Sequence, residues 1–146
     1  MSGTGKSSAL AELRRRGHRV VDTDYGGWIE HLQSEPLWNE ERMDALLASN
    51  GALFVSGCVA NQGRFYPRFD AVVLLTAPLE VIMSRVAARD TNDYGKAEAE
   101  RELIASDLAQ FEPLLRRRAT VEIDTSKQLE EVADELEAIA AKVPGP

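Results

Sequence analysis

Short apolar runs alternate with longer segments of helical periodicity along the 146 residues of this chain. The most apolar run, Ala71-Val-Val-Leu-Leu-Thr76, shows no polar alternation, which is typical of a parallel strand covered on both faces. The predicted strands cover residues 19–23, 52–56, 71–76 and 120–124.

Segments with apolar residues at helical spacing separate these strands. The predicted helices cover residues 7–16, 28–32, 39–49, 78–89 and 97–115, followed by a last helix through residues 129–139. Asn39 is the expected N-cap of its helix, and Pro113 is expected to interrupt the long one. This alternation predicts one α/β domain around a parallel sheet, over residues 1–142, with a tail of residues 143–146.

Composition narrows the class of protein. The chain is 44% hydrophobic and 28% charged, as ordinary globular proteins are. Its net charge of -7 argues against sequence-independent nucleic-acid binding, and no apolar run reaches membrane-spanning length. Cys58 is the single cysteine, so a disulfide within the chain and a cysteine-based zinc site are excluded. A cytoplasmic enzyme or nucleotide switch is expected, without nucleic-acid or membrane partners, and the sequence makes no prediction of oligomeric state.

The first eight residues, Met1-Ser-Gly-Thr-Gly-Lys-Ser-Ser8, carry the end of a phosphate-binding pattern. In G-x-x-x-x-G-K-[S/T], the last three places are filled by Gly5, Lys6 and Ser7. The glycines let backbone amides surround phosphate oxygens, the lysine bridges the terminal phosphates, and the hydroxyl reaches Mg²⁺. A helix follows directly, and its N-terminus favours the same anion. The alternative is an ordinary glycine turn that caps a helix.

The opening glycine of this pattern would fall one residue before Met1, and a strand normally precedes it. Either the chain begins at an internal methionine of a longer protein, or another segment takes the strand's place. We expect the first. Extending the chain upstream by about six to ten residues, one strand length, is then expected to raise both stability and nucleotide affinity.

Two aspartates, Asp22 and Asp24, end the first predicted strand. Residues two apart in extended backbone point to the same side, and ligands of parallel sheets bind at the carboxyl ends of strands. One carboxylate is suited to holding Mg²⁺ through water, and the other to accepting a proton from a substrate hydroxyl. The alternative is an aspartate-rich turn, because Gly26 and Gly27 follow.

Taken together, Gly3-Thr-Gly-Lys-Ser7 before a helix and Val21-Asp-Thr-Asp24 at a strand end resemble the shikimate kinase and nucleoside-monophosphate kinase group. The resemblance covers nearly the whole chain apart from the first strand. It implies a three-layer α/β/α P-loop NTPase fold with a short lid at about residues 89–97. It also implies ATP and Mg²⁺ as cofactors, and phosphoryl transfer to a small-molecule hydroxyl or phosphate acceptor.

The same resemblance distributes roles among residues of this chain. It places Ser7 and Asp22 at Mg²⁺, and Lys6, Asp24 and Arg89 in catalysis, with Arg89 and Lys96 as lid cations. It assigns the acceptor to Asp24, Arg42 and Gly57. Gln62 is added as an acceptor residue on its own sequence context, because polar amides beside two aromatics after a strand end are suited to lining a pocket. ATP binding is assigned to Ser2, Gly3, Thr4, Gly5, Lys6, Ser7, Ser8, Arg85, Asp124 and Thr125.

The acceptor side departs from the pattern of shikimate kinases. Gly57-Cys58-Val59 stands where those kinases have a run of glycines, and Arg42 is the one candidate for the arginine that holds the shikimate carboxylate. The loop of residues 61–67 is equally compatible with an acceptor pocket and a packed surface loop. The acceptor therefore stays open between a nucleoside, a nucleotide and a shikimate-like compound.

Two other functions compete with a kinase. A GTPase switch matches D-x-x-G at Asp24-Tyr-Gly-Gly27, but the chain has no N-K-x-D guanine motif. A non-catalytic or regulatory ATP-binding protein would share the P-loop. Only turnover separates it from a kinase.

Overall fold

The computed structural model describes residues 3–90 and 93–143. The chain divides into two compact units: the first contains Met1–Gly5 and Val72–Val132, and the second contains Lys6–Ala71 and Ala133–Pro146. The helices are α1 Lys6–Arg15, α2 Glu40–Ala48, α3 Leu79–Ala88, α4 Glu98–Arg118 and α5 Leu129–Lys142. The strands are β1 Val20–Asp22, β2 Ile29–Leu32, β3 Glu35–Trp38, β4 Phe54–Ser56, β5 Val73–Thr76 and β6 Val121–Asp124.

The four strands predicted from apolar runs form two parallel pairs, one in each unit. In the second unit β1 pairs with β4, so that Asp22 and Ser56 end the two strands side by side. In the first unit β5 pairs with β6, and Thr76 and Asp124 end together. The prediction of parallel strands is confirmed. Each pair brings two loop starts to one edge, where ligands of parallel sheets bind.

The helix predicted at residues 28–32 is wrong, because this segment is one arm of a β-hairpin. Ile29–Leu32 pairs antiparallel with Glu35–Trp38. The two turn residues, Gln33 and Ser34, have φ of 52° and 69°, the left-handed backbone that a two-residue hairpin turn requires. Pro36 pairs with His31 in this hairpin. Proline lacks a backbone N–H, but both strands of a two-stranded hairpin are edge strands, which accept proline.

The expected interruption of the long helix near Pro113 is also wrong. Helix α4 continues from Glu98 to Arg118 with Pro113 inside it. Proline removes one backbone bond, to the carbonyl four residues earlier, while the turns on both sides keep theirs. At its start, the Glu100 carboxylate accepts hydrogen bonds from the amides of Gly95 and Ala97, at 2.8 and 3.3 Å.

Each unit has its own apolar core. In the second unit the indole of Trp38 meets the ring of Phe65 edge-on, with centroids 5.8 Å apart. The hairpin is therefore anchored at Trp38, although most of β2 is exposed. One buried cluster of the second unit is Trp38, Met43, Leu46, Val59 and Phe65. One buried cluster of the first unit is Ala77, Ile82, Val86 and Ile104.

A buried carboxylate organises the end of α1. Glu12 is 8% exposed and accepts hydrogen bonds from Arg15 at 2.6 and 2.9 Å and from Arg16 at 2.9 Å. The hydrogen bonds from these two guanidinium groups, Arg15 first, lower the pKa of Glu12 from 4.5 to about 2. Arg16 also donates to Asp134 and Glu137 of α5, at 2.7 and 2.8 Å.

This carboxylate predicts an acid-sensitive stability. A lowered pKa means that ionised Glu12 stabilises the folded state fully above pH 4.5, and that this stabilisation is lost as pH falls toward about 2. Urea denaturation at a series of pH values across that window measures the effect. As pH falls, the free energy of unfolding is expected to decrease less for Glu12→Gln than for the wild type. Glu35→Gln, at an exposed hairpin position, is the control and should retain the wild-type slope. Parallel curves for wild type and Glu12→Gln would contradict the assignment.

Candidate functional site

The glycine loop of residues 3–5 adopts left-handed backbone at both glycines, with φ of 74° at Gly3 and 94° at Gly5. A Cβ on Gly3 would lie 2.7 Å from Cγ2 of Ile82, so only glycine fits there. Thr4 between them is 2% exposed. Backbone that alternates into the left-handed region forms concave amide nests that bind anions. Ser2, also expected to bind the nucleotide, lies outside the described residues.

Helix α1 begins at Lys6, directly after this loop, and has no acidic residue in its first turn. The Ser7 hydroxyl donates to Oδ2 of Asp22 at 2.8 Å, and Oδ1 of Asp22 accepts from the Asp24 amide at 3.2 Å. Ser8 is exposed beside them. The second unit thus brings together three predicted site residues: the P-loop hydroxyl and both aspartates.

The contact between Ser7 and Asp22 fits a magnesium ion. Mg²⁺ in nucleotide sites takes one or two protein oxygens and completes its octahedron with water and phosphate oxygens. Within residues 3–90 and 93–143, no group of three or more His, Cys, Asp or Glu side chains is placed to hold a metal. The two oxygens of Ser7 and Asp22 are of the number and kind that Mg²⁺ takes from the protein in a nucleotide site.

In the first unit, Arg85 lies against the loop that follows β6. It donates to Oγ1 of Thr125 at 2.9 Å, to the carbonyl oxygen of Thr125, and to the Gly3 carbonyl at 3.2 Å. The single proton of Thr125 Oγ1 is shared between the carbonyl oxygens of Thr4 and Thr76, which lie 2.8 and 3.1 Å away. Arg85 therefore contacts two other residues assigned to ATP, Gly3 and Thr125.

Thr125 is 4% exposed, and its hydroxyl connects the glycine loop to β5 and α3. Thr125→Val keeps the shape but leaves an arginine and two carbonyls without this partner. We expect it to reduce the free energy of unfolding by about 1–3 kcal/mol, measured by urea denaturation. Thr125→Ser retains the hydroxyl and serves as the control. Equal stability of the Val and Ser variants would show that the hydroxyl does not hold the loop.

Asp124, at the end of β6, is exposed and accepts a hydrogen bond from the Ser126 amide at 2.8 Å. The hydroxyl and the amide of Ser126 lower the pKa of Asp124, and Lys127 and Arg85 contribute less. Asp124 is therefore an ionised carboxylate that shapes its own turn. This arrangement leaves its assignment to ATP a prediction.

The cations of the predicted lid bind backbone carbonyls. Arg89 Nη2 donates to the Tyr94 carbonyl at 2.6 Å, and Lys96 Nζ donates to the carbonyls of Ala87 and Arg89 at 2.8 and 2.7 Å. Arg89 Nε is buried and has no hydrogen-bond partner in the part of the chain that the structure describes. Two lid positions of the 89–97 segment, Thr91 and Asn92, lie outside the described residues.

Two of the predicted acceptor residues are engaged within the protein. Arg42 Nη1 donates to the carbonyls of Gly26 and Gly27, at 2.8 and 2.6 Å. Gln62 accepts from the Val59 amide at 3.0 Å and donates to the Tyr66 hydroxyl at 2.7 Å. Their assignment to the acceptor stays a prediction, and in this structure both side chains shape the loops that carry or face them.

Gly57, the third predicted acceptor residue, is covered by two side chains. A Cβ placed on it would lie 2.2 Å from Oγ1 of Thr23 and 2.8 Å from Cζ2 of Trp38. Trp38 Nε1 donates to that hydroxyl at 2.9 Å, and the hydroxyl donates to the Ser56 carbonyl at 2.7 Å. Gly57 is thus required for this close packing after β4.

Gly57→Ala is accordingly expected to lower the free energy of unfolding by about 1–3 kcal/mol, because the added methyl must displace a buried hydroxyl and an indole. Thermal or urea unfolding measures the change. Gly63→Ala is the matched control, since a Cβ there meets nothing within 4 Å. If both substitutions cost the same, the packing role of Gly57 is wrong.

The sequence interpretation missed Thr23, Trp38 and Trp28. Thr23 is 1% exposed and links β4 to the hairpin through Trp38. Trp28 lies under the guanidinium of Arg42, with Cζ 4.2 Å from the ring centroid. Thr23 and Trp38 come together only through the hairpin.

Comparison with known proteins defines the class. Shikimate kinase from Acinetobacter baumannii in complex with shikimate is similar to this chain with a TM-score of 0.65 and 19% sequence identity, covering 97% of this chain and 90% of that one. TT1252 from Thermus thermophilus is similar with a TM-score of 0.60 and 21% identity, covering 99% of this chain and 94% of that one. With the P-loop residues, this likeness defines a P-loop protein of kinase-like α/β fold, which confirms the predicted class.

The family follows from the sequence itself. The profile of the AAA domain family matches residues 1–106, so the chain belongs to that family. None of the curated proteins matches the chain. Among the helices that the structure describes, none combines the length and apolar character needed to cross a membrane.

Proposed function

We propose that this protein is an ATP-dependent small-molecule kinase that transfers the γ-phosphoryl group to a hydroxyl or phosphate acceptor. The observation that carries the proposal is the contact between Ser7 and Asp22, with the Asp24 amide on the second oxygen of Asp22. It joins the residue after the P-loop lysine to a pair of carboxylates. The second carboxylate, Asp24, is exposed just beyond the carboxyl end of β1, where ligands of parallel sheets bind.

The proposed chemistry uses residues of this chain in distinct roles. The acceptor oxygen attacks the γ-phosphorus and forms a new P–O bond, the bond to the β,γ-bridging oxygen breaks, and ADP leaves. With a hydroxyl acceptor, Asp24 accepts the proton that the attacking oxygen loses, whereas an ionised phosphate oxygen attacks without this step. Lys6 and Arg89 stabilise charge on the transferring group. Mg²⁺, held by Ser7 and Asp22, would neutralise charge on the phosphate oxygens.

The likeness to shikimate kinase suggests one class of acceptor, and the sequence adds two others. The similar solved protein carries shikimate, and a shikimate-like hydroxy acid, a nucleoside and a nucleotide are the candidate acceptors. We place the reaction in the cytoplasm. Disulfides rarely persist in that reducing compartment, and a chain with a single cysteine depends on no internal disulfide. The exposed thiol of Cys58 is compatible with a reducing compartment.

An acceptor panel tests the proposal. ADP release is measured with ATP and Mg²⁺ in the presence of nucleosides, nucleotides and hydroxy acids, and again with GTP in place of ATP. At least one acceptor is expected to stimulate turnover with ATP, and chelation of Mg²⁺ should remove that turnover. Tight ATP binding without any acceptor-stimulated turnover would instead favour a non-catalytic ATP-binding protein, and preference for GTP would favour a switch.

A further inference from the structure

We propose that Arg42 is a positioning residue that holds the Asp24 loop, rather than the group that binds an anionic acceptor. The Asp24 loop is defined as residues 24–28, between β1 and β2. This inference rests on the proposed kinase function, because Asp24 is the proton acceptor there. All of its parts lie in the second unit.

The geometry of Arg42 is that of a clamp. Nη1 donates to two consecutive carbonyls, Gly26 at 2.8 Å and Gly27 at 2.6 Å, while the guanidinium lies 4.2 Å above the Trp28 ring. A planar guanidinium is suited to this double task, since it stacks on an aromatic face and donates from its edge. Three successive loop residues are therefore held by one side chain.

The loop is built to receive the clamp. Gly26 and Gly27 both have positive φ, 88° and 76°, which turns both carbonyls within reach of one nitrogen. A Cβ on Gly27 would lie 3.1 Å from Arg42 Nη1, so a larger residue would crowd the guanidinium as well as strain the backbone.

The helix that presents Arg42 is fixed to the same loop. The Asn39 amide donates to the Trp28 carbonyl at 2.8 Å, and the Asn39 side chain caps the Arg42 amide at 2.8 Å. Asn39 also donates to Glu30 of β2. The start of α2 therefore holds the loop from its far end, while Asp22 holds the amide of Asp24 at its near end.

The position of Asp24 follows from these two anchors. Asp24 and Tyr25 are exposed, and Tyr25 has 61% of its surface accessible. An exposed loop of this kind with two glycines would sample many conformations without a tether. By tethering residues 26–28, Arg42 limits where the Asp24 carboxylate can lie. Misplacement of such a group by about 1 Å costs up to about a hundredfold in rate.

Arg42 is poorly placed to recognise an anionic acceptor. A carboxylate or phosphate on the acceptor would have to compete with two backbone carbonyls for Nη1 of Arg42. The other arginines between residues 22 and 71 are also paired, Arg64 with Glu40 at 2.6 Å and Arg68 with Asp44. Arg42 therefore affects the reaction by positioning Asp24, and this effect is the same for every acceptor, including water.

Hydrolysis of ATP in the absence of an acceptor separates the two roles, because water then replaces the acceptor hydroxyl. In Arg42→Ala, we expect acceptor-free ATP hydrolysis to fall about tenfold at saturating ATP. The Kd of an ATP analogue should stay within about twofold of wild type, because the P-loop is untouched. Amide hydrogen exchange of residues 25–28 should accelerate at least about tenfold.

Matched variants complete the test. Arg42→Lys keeps a cation that reaches one carbonyl but not the planar fork, so its rate should lie between wild type and Arg42→Ala. Gly27→Ala disturbs the same contact from the loop side, because its Cβ would crowd Arg42 Nη1. It should therefore reduce acceptor-free ATP hydrolysis as Arg42→Ala does. Arg68→Ala removes an arginine that contacts α2 through Asp44 and should retain wild-type hydrolysis and exchange.

Unchanged acceptor-free hydrolysis in Arg42→Ala, or unchanged exchange of residues 25–28, would overturn the positioning role. The failure of the proposed function looks different, since the wild type itself would then show no acceptor-stimulated turnover, whether or not it binds ATP. In that case the exchange measurement still decides whether Arg42 clamps the loop.

Discussion

Replacing Lys6 with alanine is expected to weaken ATP binding by at least about a hundredfold, which would be the largest effect on binding of any single substitution. The ammonium group is proposed to bridge the terminal phosphates, and loss of two charge-assisted hydrogen bonds costs about 3 kcal/mol. Calorimetry with a non-hydrolysable ATP analogue measures the change.

Lys142 provides the matched control for this substitution. It lies exposed at the end of α5, far along the chain from the glycine loop, and Lys142→Ala removes the same charge. ATP affinity should then equal that of the wild type. If Lys6→Ala binds ATP as tightly as Lys142→Ala does, the loop of residues 3–8 is the glycine turn of the alternative interpretation and not a phosphate site.

Substituting Asp24 with asparagine is expected to reduce acceptor-dependent turnover by about 10²–10⁴-fold while leaving ATP affinity unchanged. Asparagine preserves the size of the side chain but cannot accept the proton of the acceptor hydroxyl. Initial rates of ADP formation at saturating ATP, together with the Kd of an ATP analogue, separate the two quantities.

Asp70→Asn is the control for charge, because Asp70 is an exposed aspartate outside the proposed site. It should turn over at the wild-type rate. An Asp24→Asn protein that matches Asp70→Asn in turnover would remove Asp24 from the reaction. A protein that loses ATP affinity instead would move Asp24 to the nucleotide.

The parts of the fold that the sequence predicted correctly are those encoded locally. Helix α1, predicted at residues 7–16, is observed at Lys6–Arg15, and the four strands of the parallel pairs lie within the segments predicted as strands. The N-cap at Asn39 was correct for the same reason, since its side chain bonds a backbone amide three residues on.

The hairpin was not predictable in this way. Its turn consists of Gln33 and Ser34, without the Asn-Gly or Asp-Gly pair that marks such turns. The left-handed backbone at these residues is sustained by pairing on both sides and by burial of Trp38. Tertiary packing therefore decides the secondary structure of this segment, because its local sequence pattern fits both a helix and a strand.

In the candidate site, local pattern reaches equally far. The Ser7 hydroxyl and Asp22 lie 2.8 Å apart, because one stands in the first turn of a helix and the other ends a strand, and their sharing of a magnesium ion stays a prediction. The surroundings of Arg42 depend instead on a contact between α2 and a distant loop. No pattern along the chain encodes which carbonyls an arginine will reach.

Transfer of labelled phosphate tests the central claim most directly. ATP labelled in its γ-phosphoryl group is incubated with the protein, Mg²⁺ and the acceptor that most stimulates ADP release, and the label is followed by chromatography. The account predicts that the label leaves ATP on the acceptor, and that Asp24→Asn suppresses this transfer. Label that stays in ATP, or that appears only in inorganic phosphate with every acceptor, would contradict a kinase.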